Sequence, residues 1–313
     1  MFKNSGLFFL FMLEKIKHIY ETKYKLFLIL TFLILFAALA QIAWQYHTTG
    51  DFLHKGVSLK GGITVTIPGY SDVASLETAL HSQFSVNDIS IRVLRGASGQ
   101  YTGVLVDADI IDTDAVNTFI AAVAESTAVS RDQMGIETFG SRLSDNFFQQ
   151  LLVGLLIAFL FMGSVVFLYF KDLVPSLAVM LAAGSDIIIT LAIVNVLGIK
   201  LSTAGIAAFL MLIGYSVDTD ILLTIRVLKQ KEDGNLNERI YGSLKTGGLM
   251  TITAIIAVGT VLVFTNSDVL FQIMLILFIG LFVDLMTTWV QNVSILRWHL
   301  ARLEEKHGKG AGA

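Results

Sequence analysis

The sequence predicts an α-helical integral membrane protein with six transmembrane helices and one small α+β domain. Hydrophobic residues make up 54% of the 313 residues and charged residues only 15%, whereas soluble domains carry about 25% charged residues. Six long apolar stretches, each sufficient to cross a bilayer as a helix, supply the transmembrane helices. One polar segment between the first two stretches alternates strand and helix patterns and therefore predicts a folded domain outside the membrane.

The predicted boundaries divide the chain into five parts. The first transmembrane helix is uncharged and ends on Trp44 and Tyr46, aromatic residues that favour the membrane interface. The parts are a basic N-terminus at 1–25, the first transmembrane helix at 26–46, the polar domain at 47–146, the other five transmembrane helices at 147–298 and a polar tail at 299–313.

The polar domain has the order strand, helix, strand, strand, helix, strand. This βαββαβ order is that of a ferredoxin-like fold, in which both helices lie on one face of a four-stranded sheet. Its joints at Thr48–Asp51 and Gly140–Asp145 contain glycine and short polar residues that suit hinges. The expected strands are Leu59–Ile67, Asp88–Leu94, Tyr101–Asp107 and Met134–Phe139, and the expected helices are Asp72–Gln83 and Asp112–Ser126.

The distribution of basic residues predicts the orientation in a cell membrane. Lysines and arginines concentrate in the N-terminus, the loop at 226–245 and the C-terminal tail, whereas the short loops on the opposite side contain only Lys200. Because short cytoplasmic loops carry an excess of Lys and Arg, both termini are expected in the cytoplasm and the polar domain outside. The net charge of −3 gives no indication of a nucleic-acid partner.

The sequence contains no motif for an enzyme, a cofactor or a metal. There is no cysteine, so a thiol nucleophile and a thiolate metal site are excluded. No phosphate-binding loop, zinc motif or Ser/His/Asp set is present. Four acids of the polar domain suggest a cation site, but they lack the glycine and terminal glutamate of a calcium loop and suit a strand end and a helix N-terminus better. They are Asp107, Asp109, Asp112 and Asp114.

Carboxylates inside the apolar stretches are the candidate functional residues. A charged side chain near the bilayer centre costs several kcal/mol, so such residues pair, face water or carry protons. Asp186 lies in the middle of the third helix among small residues, and Asp284 lies near the middle of the sixth. For each carboxyl, proton transfer and a structural hydrogen bond between helices remain open alternatives.

The fourth apolar stretch contains two carboxylates, Asp218 and Asp220, and ends on Arg226. Two residues apart, the carboxylates point about 200° away from each other on a helix, so only one faces a given neighbour. Asp218 shares a helix face with Gly214, where another helix can approach, and is therefore the preferred inner residue. Asp220 lies nearer the cytoplasm and is also compatible with contact to water there. Arg226 is either an interfacial anchor or the partner of a carboxylate.

Several stretches resemble the archaeal-type branch of the SecD/SecF family, within the resistance-nodulation-division superfamily. The resemblance covers nearly the whole chain after residue 25. It is carried by the glycine element Gly56-Val-Ser-Leu-Lys60-Gly61-Gly62, by Ala-Gly-Ser-Asp186-Ile-Ile-Ile-Thr, by Ile-Gly214-Tyr215-Ser-Val-Asp218-Thr-Asp220 with Arg226, and by Asp284 with Trp289-Val-Gln-Asn292 and Leu296-Arg-Trp298.

The resemblance implies an accessory subunit of the Sec protein-translocation machinery rather than an enzyme. Its implied partners are a homologous SecD, a SecYE-type translocon and an unfolded secretory polypeptide. It also implies a proton relay of Asp186, Asp218, Asp220, Asp284 and Arg226. The competing hypotheses are a proton-driven exporter of small molecules or lipids from the same superfamily, and an assembly factor whose carboxylates only join helices. One six-helix unit with a small outer domain favours the translocation subunit.

Overall fold

The fold was obtained as a computed structural model that describes residues 17–84, 88–95, 100–230, 234–265 and 267–310. Within these residues six helices are long and apolar enough to cross a membrane, and a four-stranded sheet lies between the first and second of them. The predicted fold class is thereby confirmed. Most of the basic N-terminus predicted at 1–25 lies outside the described residues.

The helices and strands follow one another as the sequence predicts, apart from a short helix at Val57–Lys60 and a π-helical segment in the sixth membrane span. The sixth membrane span is continuous from Val269 to Leu303 but changes from α- to π-helix in its middle. In chain order the elements are α1 Tyr24–Thr49, α2 Val57–Lys60, β1 Gly62–Pro68, α3 Val73–Gln83, β2 Ile89–Arg95, β3 Tyr101–Ala108, α4 Thr113–Thr127, β4 Gly135–Phe139, α5 Ser141–Phe170, α6 Leu173–Val196, α7 Thr203–Leu228, α8 Leu236–Phe264, α9 Asp268–Met286, the π segment Thr287–Asn292 and α10 Val293–Gly310.

Polar caps determine where several membrane helices begin. The Asp172 carboxylate accepts a hydrogen bond from the Val174 N–H at the start of α6, and Ser202 caps α7. Helix α8 begins well before Gly247, where the apolar stretch starts, because Asn235 and Glu238 form a reciprocal capping box. Its first turns are therefore a polar helical extension of a membrane span.

The four strands form an antiparallel sheet of order β2-β3-β1-β4. Helices α3 and α4 cover one face, and the buried core between them includes Ile63, Leu76, Val106 and Phe119. This is the predicted ferredoxin-like arrangement of helices and strands.

The start of β1 differs from the prediction. Residues 57–60 form α2, so the strand begins at Gly62 and not at Leu59. The chain turns between the two elements through Gly61 and Gly62, whose φ angles are 91° and 134°, a region that side chains disfavour. A Cβ on Gly62 would also lie 2.3 Å from the Ala108 carbonyl oxygen. The two glycines therefore form a tight turn that leads into β1, an inner strand of the sheet.

The ferredoxin-like domain is attached to the bundle at a third place besides its two predicted joints. The loop between α6 and α7 lies against the segment before β1: the Gly56 N–H donates to the Leu201 carbonyl at 2.7 Å, and the Leu201 N–H donates to the His54 carbonyl at 2.7 Å. Lys200 in the same loop forms an ion pair with Asp88 at 2.9 Å. The loop between two membrane helices thus fixes the base of the domain.

Candidate functional site: a buried carboxylate cluster

Three carboxylates from three membrane helices are buried within the bundle. Asp186 on α6, Asp220 on α7 and Asp284 on α9 are 1%, 0% and 1% exposed. Helices α6, α7, α9 and the π segment pack against one another around them. The small residues Ala182 and Ala183 beside Asp186 are themselves fully buried, which lets neighbouring helices approach closely.

Asp186 is held between two hydroxyl groups from different helices. Ser216 on α7 donates a hydrogen bond to Oδ2, and Thr287 in the π segment donates to Oδ1. Both hydroxyl groups are completely buried. Asp186 therefore links α6 to α7 and to the sixth span through its two carboxyl oxygens.

Asp284 and Asp220 have partners of the same polar kind. The Thr288 hydroxyl donates to Asp284 Oδ1 at 3.0 Å, and the Thr219 hydroxyl lies 3.3 and 3.4 Å from the two carboxyl oxygens. The Asn292 amide donates to Asp220 Oδ1 at 2.8 Å. Among the described residues, Asp220 Oδ2 has no hydrogen-bond partner although it is buried.

The π segment supplies a donor to each of the three carboxylates. Thr287 bonds to Asp186, Thr288 to Asp284 and Asn292 to Asp220. A π-helix is rare and frequently marks a functional site. Asn292 belongs to a stretch that carries the family resemblance, but no role was predicted for Ser216, Thr287, Thr288 or Asn292.

The preference for Asp218 as the inner carboxylate is wrong. Asp218 is exposed on the surface of the bundle, as are Gly214 and Tyr215 on the same side of α7. Asp220 faces the interior together with Ser216 and Thr224, which are completely buried. The two aspartates point in opposite directions as predicted, but the small-residue face of α7 is its outer face.

Arg226 lies apart from the carboxylate cluster. It is partly buried in the last turn of α7, and its Nη1 is close to Gly242 on α8. No ion pair joins Arg226 to an acid within the part of the chain that the structure describes. The cluster of Asp186, Asp220 and Asp284 is therefore held by neutral hydrogen-bonding groups rather than by this arginine.

A second arginine is more deeply buried at the same end of the bundle. Arg297 on α10 is 7% exposed, and its guanidinium lies 5.4 Å from the centre of the Tyr20 ring. The Tyr20 hydroxyl donates to the Trp289 carbonyl at 2.5 Å. Burial raises the pKa of the Tyr20 phenol, so it stays protonated as a donor. Through Tyr20, these contacts join the segment before α1 to the π segment.

The glycine element before β1 has a structural position rather than a place in the cluster. Gly56 contacts the α6–α7 loop through its N–H, and an added Cβ would lie 3.0 Å from the Leu201 carbonyl oxygen. Gly61 and Gly62 form the turn into β1, and Lys60 is exposed at the end of α2. This glycine element therefore shapes the junction between the ferredoxin-like domain and the membrane helices.

Three of the four acids predicted as a possible cation site in the ferredoxin-like domain have separate partners. Asp107 accepts hydrogen bonds from Arg92 at 2.6 Å and from Thr64 at 2.7 Å, and Asp112 caps α4. Asp109 accepts from the Asp88 N–H at 2.8 Å. Among the described residues no group of acids and histidines has the geometry of a metal site.

A cavity of about 240 Å³ lies where the uncovered face of the sheet meets the α6–α7 loop. Its charged lining residues include Arg92 and Asp107, which pair with each other, and Lys200, which pairs with Asp88. Gln272 accepts hydrogen bonds from Ser202 and donates to the Lys200 carbonyl at 2.7 Å. Of these contacts, the ion pair between Lys200 and Asp88 joins the bundle to the ferredoxin-like domain, and the others lie within one part or the other.

The fold and the site together define a multi-pass membrane protein with a buried acid cluster beneath a small ferredoxin-like domain. The family described as Protein export membrane protein SecD/SecF, C-terminal, matches residues 119–302. The chain belongs to this SecD/SecF family.

Two curated relatives agree with this assignment over most of their length. The protein-export membrane protein SecF of Methanothermobacter thermautotrophicus is 41% identical over 257 residues, which cover 79% of this chain and 85% of the relative. The SecF protein of Pyrococcus furiosus is 36% identical over 296 residues, which cover 94% of this chain and 97% of the relative.

The fold is also similar to that of a solved SecDF structure. The crystal structure of SecDF from Thermus thermophilus, described as a translocon-associated membrane protein, matches with a TM-score of 0.69 at 17% identity. The match covers 88% of this chain and 38% of the SecDF chain. The chain therefore has the fold of about two fifths of SecDF.

Proposed function

We propose that this chain is an accessory subunit of the Sec protein-translocation machinery in the cell membrane, with both termini in the cytoplasm. It pairs with a SecD-type protein and acts beside a SecYE-type channel on an unfolded secretory polypeptide. The family assignment and two SecF relatives with at least 36% identity support this role. The outer domain, anchored at its base by the α6–α7 loop, is the part that meets the emerging polypeptide.

Proton transfer through the buried carboxylates couples export of the polypeptide to the membrane potential. The observation that carries this proposal is the burial of Asp186, Asp220 and Asp284 with neutral partners instead of cations. A hydroxyl or amide group both donates and accepts hydrogen bonds, so it can remain bonded to a carboxyl that gains or loses a proton. A cationic partner would hold the carboxyl permanently ionised.

Asp186 provides the first test of the proton-transfer proposal. Asp186→Asn is expected to assemble normally, because an amide is cheaper to bury than a charge, yet to lose export by about tenfold or more, since it carries no acidic proton. Asp186→Glu is expected to retain part of the activity. Export of a secretory protein is measured in cells that contain each variant as their sole copy.

The opposite order of activities would contradict the proposal. If Asp186 only joins helices, Asn keeps a hydrogen bond and exports normally, while Glu overpacks the contact with Ser216 and Thr287. Membrane content of each variant is measured alongside export, so that loss of protein is not mistaken for loss of function.

The exposed face of α7 is the site where the SecD-type partner packs. Asp218 lies exposed on this face within a membrane span, a position that is costly in contact with lipid. Gly214 leaves open space beside it, and Tyr215 is 44% exposed. A partner helix would cover the carboxylate and fill the space at the glycine.

Photo-crosslinking tests this interface. The chain has no cysteine, so a Tyr215→Cys variant carries a thiol-linked photoprobe at one position only. We expect this probe to crosslink the SecD-type protein in native membranes, because it projects from the proposed interface. Leu168→Cys on α5, where Leu168 is 70% exposed, is the control and should label lipid. Equal labelling of the partner from both positions, or none from Tyr215→Cys, would refute the interface.

A further inference from the structure

We propose that Asn292 is a positioning residue for Asp220, held at that carboxyl by the π segment so that the amide partners Asp220 in both of its protonation states. This inference rests on the proposed proton transfer and assigns a role to a residue on a different helix from Asp220, in the same membrane span as Asp284. Asn292 is completely buried, and its Nδ2 lies 2.8 Å from Asp220 Oδ1.

The π geometry is what brings Asn292 to the same side of the span as Thr287. In an α-helix residues five apart are separated by about 140° around the axis, so one of the two would point away from the carboxylates. A π-helix is wound more widely, with i→i+5 hydrogen bonds, which brings residues five apart closer to the same side. The Val293 N–H donates to the Thr288 carbonyl in this pattern. Both Thr287 and Asn292 therefore reach an aspartate.

The π segment is fixed by contacts that do not involve the carboxylates. The Trp289 ring packs against Gly247 of α8, where an added Cβ would lie 2.7 Å from Cζ2. The Trp289 carbonyl accepts from Tyr20 at 2.5 Å, and the Gln291 amide donates to Ser185 at 3.0 Å. Three contacts thus fix the backbone that carries Asn292, and they hold its amide beside Asp220 independently of the protonation state of that carboxyl.

The pairing of Asn292 with Asp220 leaves one atom of each side chain without a partner. Asp220 Oδ2 and Asn292 Oδ1 are both buried and lack a hydrogen-bond partner among the described residues. An ionised Asp220 accepts from the Asn292 N–H, and a protonated Asp220 can donate its O–H to Asn292 Oδ1. The amide therefore stays hydrogen-bonded to Asp220 when the proton arrives and when it leaves. The only covalent bond that forms or breaks is the O–H bond of the Asp220 carboxyl.

The test combines export with infrared difference spectroscopy of the complex with its SecD-type partner. Asn292→Leu removes donor and acceptor at similar volume, and we expect export to fall by about tenfold, the value of a hydrogen bond to a charged group. The stretching bands of the Asp220 carboxyl, identified by their loss in Asp220→Asn, should shift in Asn292→Leu. Thr224→Val is the matched control, because Thr224 is buried on the same face of α7 and its hydroxyl bonds to the backbone carbonyl of Asp220 at 2.7 Å, not to the Asp220 carboxyl.

An exchange of the two side chains separates positioning from a purely structural role. The variant Asp220→Asn/Asn292→Asp keeps one carboxyl and one amide in contact and is expected to recover part of the export lost in Asp220→Asn. A structural hydrogen bond would restore assembly in this variant but not export. If Asn292→Leu does not assemble, Asn292→Ser keeps a donor and an acceptor in a smaller volume and should still shift the Asp220 bands.

The outcomes distinguish this inference from the proposed function. Normal export and unshifted Asp220 bands in Asn292→Leu, or unshifted bands in Asn292→Ser, would overturn the positioning role while an inactive Asp220→Asn left proton transfer standing. Normal export by Asp220→Asn would instead overturn the proposed proton transfer through Asp220.

Discussion

Replacing Asp220 with Asn is expected to stop proton-coupled export, whereas the same replacement at Asp218, two residues away, is expected to leave at least about half of it. Both substitutions remove one carboxyl from the same helix and preserve side-chain size. The expected difference arises because Asp220 is completely buried beside Asn292 and Asp218 is on the exposed face of α7. Loss of a positioned proton-transfer group costs roughly 100-fold or more.

Proton flux gives the cleanest measurement of this difference. The complex with the SecD-type partner is reconstituted in vesicles, and acidification is followed under an imposed membrane potential during translocation. Asp220→Asn should reduce the flux by roughly 100-fold. Asp218→Asn should reduce it by no more than about twofold, since only a group positioned in the proton path contributes to the transfer and Asp218 lies on the partner-facing side of α7, outside the cluster of Asp186, Asp220 and Asp284. Equal losses from the two substitutions would contradict the distinction drawn from their exposure.

The sequence could predict that the two aspartates of α7 diverge, but not which of them faces inward. Helical geometry alone separates positions 218 and 220 by about 200°. Gly214 suggested close packing next to Asp218, yet small residues serve an interface within the chain and one with a partner equally well. A better signal was present: Ser216, Asp220 and Thr224 recur every four residues and form one polar stripe. All three are completely buried.

Two of the three donors on the sixth span belong to a stripe that the sequence shows, because Asp284, Thr288 and Asn292 recur every four residues. Thr287 lies about 140° from Asn292 on an α-helix and so falls outside this stripe. They converge because the backbone locally adopts a π-helix, and no propensity in Thr-Thr-Trp-Val-Gln-Asn predicts it. The packing of Trp289 and the bonds to three carboxylates stabilise that geometry in the folded bundle. Tertiary contacts, rather than the local sequence, therefore bring Thr287 to Asp186.

In the ferredoxin-like domain, more of the structure could be predicted from the sequence. The order of its strands and helices along the chain follows from alternating apolar residues and turns, and the fold agrees with the βαββαβ prediction. The error was local: Leu59 was assigned to a strand, although Gly61 and Gly62 after it adopt positive φ and break the extended chain. The contacts of Lys200 with Asp88 and of Leu201 with Gly56 join distant segments, so they could not be predicted from periodicity.

A single methyl group on Gly247 is expected to disturb both stability and export through the π segment. The added Cβ would lie 2.7 Å from Trp289 Cζ2 and 3.0 Å from Cη2. Because Trp289 is only 5% exposed, its ring cannot move aside freely. Overpacking of this kind costs about 1–3 kcal/mol. Displacing Trp289 also shifts the backbone between Thr288 and Asn292, which hold two of the three carboxylates.

The adjacent Gly248 supplies the matched control for this effect. It is also buried on α8, but the nearest atom to its added Cβ is Leu244 Cδ1 at 3.7 Å, an ordinary contact. Gly248→Ala should therefore be neutral or stabilising by up to about 1 kcal/mol through helix propensity. Thermal unfolding followed by tryptophan fluorescence, together with export, compares the two variants. If Gly247→Ala matches Gly248→Ala in both measurements, Trp289 is not held tightly against α8. The packing of Trp289 on Gly247 would then not fix the position of the π segment. A lower unfolding temperature and weaker export in Gly247→Ala alone would show that the helix contact sets the position of the donors.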